Sequence, residues 1–102
     1  MGIIPGSKSM PKLIGNLRIT AIPAREGVRA HFELVFLPYA GRLNTRPAIA
    51  STYDDLVNLL QELKFSEDQA TQWAGKARSQ GIVLIDSFER TDALLRENGL
   101  LA

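Results

Sequence analysis

Between residues 28 and 37 the chain reads VRAHFELVFL, in which Val28, Ala30, Phe32, Leu34 and Phe36 alternate with Arg29, His31 and Glu33. Successive side chains of a strand point to opposite faces, so this rhythm suits a half-buried strand and places apolar groups all round a helix. The stretch is therefore expected in a sheet with one face on a core and one in water. Residues 17–22, LRITAI, repeat the rhythm with Leu17, Ile19 and Ala21 against Arg18 and Thr20. The PAREG between them has turn chemistry, and an antiparallel hairpin follows. At the far end the alternation fails. Val35 and Leu37 turn the outer face apolar and Ile22 does so on the first strand, so these three mark an interaction surface in need of cover by a helix, a loop or a second subunit.

The remaining elements follow from local signals. AIAS, residues 48–51, is a candidate third strand. Thr52 fits an N-cap, with Asp54 and Asp55 in the first turn where the helix dipole favours negative charge. A helix over 53–63 sets Leu56, Leu59, Leu60 and Leu63 on one stripe. Ser66 with Gln69 forms a capping box for a second helix to about Gln80, whose packed face holds Ala70, Trp73, Ala74 and Ala77 and whose end is marked by Gly81. IVLI, residues 82–85, is apolar at every position, which predicts a central strand covered on both faces. Thr91 caps a short last helix carrying Leu94 and Leu95, and Gly99 ends it. The fold class is α+β: a small mixed or antiparallel sheet in the order β-β-(β)-α-α-β-α, with helices packed on one face.

A chain of 102 residues that is 45% hydrophobic and 23% charged suits one domain with one core, here over 13–102, behind a loose lead-in over 1–12. It contains no cysteine, which excludes disulfides, cysteine-ligated zinc and thiol nucleophiles and fits a reducing, cytoplasmic setting. No apolar run approaches the roughly 18 residues of a spanning helix, so no membrane role is expected. The net charge of +1 conceals an uneven distribution: seven bases against two acids in residues 1–50, a balance of +5, and five bases against nine acids in residues 51–102, a balance of −4. A basic half can recruit an anionic partner, although two halves folded against each other mix their charges on one surface.

Four groups of residues invite a chemical reading. His31 shares a strand face with Arg29 and Glu33, yet no nucleophile stands beside it for acid–base work. Asp86, Glu89 and Asp92 follow the apolar strand without the spacing of a calcium loop, so they read as a solvated connection and no metal or other cofactor is assigned. The helix pair offers Gln69, Gln72, Lys76 and Arg78 to a DNA groove, but Glu67 and Asp68 put negative charge at the end that approaches phosphate; an αα-hairpin on a sheet is the simpler account. The segment 38–50, PYAGRLNTRPAIA, carries Arg42, Asn44 and Arg46 with no acid, and Tyr39 for stacking, which makes it the candidate anionic-ligand site. It has no glycine pattern of a nucleotide loop. The expected role is a non-enzymatic interaction or regulatory module, binding a protein partner or itself as a homodimer. The alternatives are nucleic-acid or anionic-ligand binding through the basic hairpin and loop 38–50, and a small-molecule pocket or enzyme.

Overall fold

The computed structural model describes residues 11–102. The elements run β1 (Lys12–Ile22), β2 (His31–Pro38), β3 (Ala48–Ala50), α1 (Tyr53–Glu62), α2 (Glu67–Gln80), β4 (Ile82–Thr91) and α3 (Asp92–Glu97). The four strands form one antiparallel sheet in the order β3-β2-β1-β4, with the three helices completing an α+β fold. None of its helices is long and apolar enough to cross a membrane among the described residues. The lead-in expected over 1–12 lies, for residues 1–10, outside the described residues, and β1 already includes Lys12.

Alternation decides which side of the sheet meets the helices. Leu17 and Ile19 of β1, Leu34 and Phe36 of β2, and Val83, Ile85 and Phe88 of β4 are buried on one face. Leu56, Leu60 and Leu63 from α1 and its C-cap, with Ala70, Ala74 and Ala77 of α2, close over them. The alanines let α2 lie near the sheet, and the leucines of α1 fill the space beside it. Each helix starts where a hydroxyl satisfies an otherwise free backbone N–H. Thr52 Oγ1 accepts from the Asp55 amide at 3.0 Å, Thr91 Oγ1 from that of Leu94 at 3.2 Å, and Ser66 and Gln69 exchange two bonds of 3.1 Å as a full capping box. Gly81, at φ 88°, ends α2 in the left-handed conformation expected of it.

Two sequence expectations are corrected. Val28 and Ala30 are exposed rather than buried, because β1 and β2 pair only as far as Ile22 and His31; beyond that point Arg25 and Val28 bridge across a tighter turn with Gly27 at φ 77°. The apolar strand 82–85 is not central. It is the beginning of a ten-residue edge strand, β4, and β1 and β2 are the strands with neighbours on both sides. Val83 and Ile85 reach the core as alternation requires, while Ile82 and Leu84 are each 53% exposed on the other face.

The segment after β2 also has a structural task. Thr45 bridges to Leu101, the Arg46 amide donates to the Leu100 carbonyl at 3.1 Å, and the Ala102 amide to the Asn44 carbonyl at 2.8 Å. Residues 43–46 thereby hold the segment after α3 against the domain and press Leu100 and Leu101 into the core.

Candidate functional site

The face of the sheet turned away from the helices is built by the even-numbered residues of β1, the odd-numbered residues of β2 and β3, and the residues of β4 that face outward. The register sets them in rows. Ile49, Glu33, Thr20 and Ile82 form one; Val35, Arg18 and Leu84 the next; Leu37 and Asn16 a third. Ile22 stands beside His31 at one end and Ile14 lies at the other. The predicted surface residues Ile22, Val35 and Leu37 therefore share this face, each half-buried, and none of the described helices covers them. Ile49 and Leu84, each 53% exposed, extend the patch across the sheet, as does Ile82; Ile14 is 44% exposed. The patch is a frame of aliphatic side chains on β2, β3 and β4 around a polar stripe, Asn16, Arg18 and Thr20, on β1.

One corner is locked by a tyrosine. Gly15 pairs with Phe88 and Leu17 with Ile85, so the single Asn16 of β1 stands against both Asp86 and Ser87 of β4: a β-bulge, with Ser87 at φ 54°. Tyr39 spans this bulge. Its hydroxyl donates to Asp86 Oδ1 and accepts from the Ser87 amide at 2.9 Å. Gly15 lets the end of β2 run close beside β1, since a Cβ there meets the Leu37 carbonyl oxygen at 2.2 Å. Beneath the bulge Asn16 Oδ1 is buried with no hydrogen-bond partner among the described residues.

Of the predicted anion-binding residues, Arg42 and Asn44 come together and Tyr39 and Arg46 do not join them. Arg42 and Asn44 line a cleft of about 310 Å³ together with Leu43, Leu101, Ala102 and Arg96 of α3. Tyr39 is engaged at the bulge, and Arg46 is absent from the cleft lining. Within the cleft Arg96 is already committed: its Nε donates to Asp92 Oδ1 at 2.5 Å and another nitrogen donates to the Ala102 carbonyl. Arg42 and Arg46 take part in no ion pair among the described residues.

The remaining groups stay apart. His31 lies at the hairpin end, its Nδ1 2.9 Å from the Arg29 carbonyl, and lines an apolar groove of about 530 Å³ with Ile22, Phe32 and Tyr53, where the Arg78 guanidinium sits 3.9 Å above the Tyr53 ring. Asp86 is bound to Tyr39 and Asp92 to Arg96, and no three histidines or carboxylates come together among the described residues. Among the described residues His31 lines grooves at the hairpin end and Arg42 the cleft beside α3, while Asp86 lines neither.

Arg90 is the polar side chain that sequence spacing leaves unmarked. Its Nε donates to the Leu63 carbonyl at the end of α1 (2.5 Å) and Nη1 to the Glu89 carbonyl (2.7 Å). The guanidinium lies 4.5 Å from the Phe88 ring centroid and 4.9 Å from that of Phe65, two rings stacked on each other at 5.7 Å. Burial pushes its pKa below the usual guanidinium value, and Glu89 partly offsets that.

Compared with protein-family models, with curated proteins and with solved structures, the chain matches none.

Proposed function

We propose that this chain is a non-enzymatic interaction module that binds protein through the helix-free face of its sheet. One observation carries the proposal: the aliphatic frame of Val35, Leu37, Ile49, Ile82 and Leu84 lies on a face that none of the described helices packs against. Antiparallel sheets with one wet face ordinarily alternate apolar with polar residues, and here β4 places isoleucine and leucine on the wet side as well. Such side chains gain roughly 25 cal/mol for each Å² of apolar surface withdrawn from water, which makes the face a ready docking surface. A cytoplasmic setting, from the cysteine-free composition, belongs to the same proposal.

A photo-crosslinking side chain at position 84 tests it in cells. Protein adducts from position 84, and few from position 72 on the exposed side of α2, are expected. Equal yields from the two positions, or none from either, contradict the proposal.

A second reading, anionic-ligand or nucleic-acid binding, is favoured by the cleft that Arg42 and Asn44 share with Arg96. Binding through several arginines weakens steeply with rising salt, so a flat salt response for any nucleic acid that binds removes it.

A further inference from the structure

We propose that the helix-free face is covered by a second copy of this chain, packed face to face about a two-fold axis that sets Arg18 of each copy against Glu33 of the other. The inference rests on that face being a docking surface, and it names the occupant from the charges inside the patch. Arg18 stands across from Val35 on β2 and Leu84 on β4. Glu33 stands across from Thr20 on β1 and Ile49 on β3. Neither has an opposite charge beside it in register, and the ion pair found among the described residues, Arg96 with Asp92, is elsewhere. Although diagonal neighbours, Arg18 and Glu33 form no ion pair with each other among the described residues, so each is a half-buried charge that covering the face makes costly without a partner.

The two charges are of opposite sign and occupy a diagonal of one block on adjacent strands, with Val35 and Thr20 at the other corners. An isologous contact pairs residue i with j and j with i. A two-fold axis in the plane of the face, midway between Arg18 and Glu33, meets that condition for both charges at once. It keeps Val35 and Thr20 near the axis and turns the aliphatic frame of one copy toward that of the other. A strongly acidic or basic partner leaves one of the two charges unmatched, whereas the same face inverted matches both.

Three paired strands over eight residues, with three residues of β3 beside them, give roughly 440 Å² of face per copy at a spacing of about 4.8 Å and a rise of about 3.4 Å per residue. The pair of faces then amounts to about 900 Å² in projection, the size of a small, reversible interface rather than an obligate one. The free edge of β4 is a poorer route to the same dimer, since the bulge at 86–87 interrupts its ladder and Asp86, Glu89 and Arg90 line it with charge.

Sedimentation equilibrium on the full chain, with charge reversal, tests the proposal. Wild type is expected to pass from monomer to dimer as concentration rises. Arg18→Glu and Glu33→Arg each set like charges together at both symmetric contacts, and each is expected to weaken the dimer roughly 30-fold or more. The double variant is expected to recover to within about threefold of wild type. An equimolar mixture of the two single variants is expected to form a heterodimer, which also reports that each variant is folded. Wild type that stays monomeric, or single variants that fail to complement each other, overturns the second copy. Crosslinks from position 84 to other proteins by a chain that stays monomeric overturn this inference alone and leave the docking function standing; loss of both results removes both.

Discussion

Single residues set the local geometry, and the clearest case is Lys64. It follows α1 at φ 75°, in the left-handed region, and its amide donates to the Gln61 carbonyl at 2.9 Å while that of Phe65 donates to Leu60 at 3.1 Å. This is the paired-bond helix ending that usually employs glycine, here made with a lysine. A side chain in that conformation costs of the order of 1 kcal/mol. Lys64→Gly is therefore expected to raise stability by up to about 1 kcal/mol, read as a higher midpoint in urea unfolding; a lower midpoint contradicts the assignment of strain. Signals of this scale are partly legible in sequence. Thr52, Ser66 with Gln69, Thr91 and Gly81 mark helix ends because a cap depends on residues three or four apart. Lys64 carries no such mark, since nothing in KFS announces a left-handed turn. The bond from Tyr39 to Asp86 is hidden for a different reason: it joins residues 47 positions apart across a bulge.

Among the elements, α1 and β4 are joined by Arg90, which closes the C-terminal end of the helix by donating to Leu63 and stacks on Phe88 and Phe65. A planar guanidinium can do both at once and an ammonium cannot. Arg90→Lys is expected to cost about 1–2 kcal/mol, measured by urea unfolding, through the lost stacking and a carbonyl left without its donor. A change within about 0.3 kcal/mol makes the contact incidental. Element types and order were readable in advance because alternation in β1 and β2 and the leucine and alanine stripes of α1 and α2 are local patterns. The place of β4 was not. Four consecutive apolar residues, Ile82 to Ile85, read alike for a strand covered on both faces by its own chain and for one whose second face is left to something outside it. Position in the sheet follows from which strands pair, and that is decided by long-range contacts.

For the molecule as a whole, the described helices shield one side of the sheet and none of them covers the other, which is the side with unexplained hydrophobicity. Ile22, Val35 and Leu37 were legible as surface because they break alternation. Ile49, Ile82 and Leu84 became part of the same patch only through the strand order β3-β2-β1-β4. The basic segment 38–50 was conspicuous in sequence for its unpaired arginines, and part of it serves to hold Leu100 and Leu101 in place. A second copy on this face, as proposed, withdraws its methyl groups from solvent as concentration rises. Methyl NMR with a soluble paramagnetic agent reads this side chain by side chain. The methyl groups of Val35, Ile49, Ile82 and Leu84 should be relaxed strongly in dilute samples and in Leu84→Glu, and become protected in concentrated wild type, while the Ala102 methyl, exposed and away from the face, stays accessible throughout. Equal relaxation of the face methyls at every concentration, with or without the substitution, contradicts a second copy on the face; if position 84 then captures no other protein, the face is simply surface.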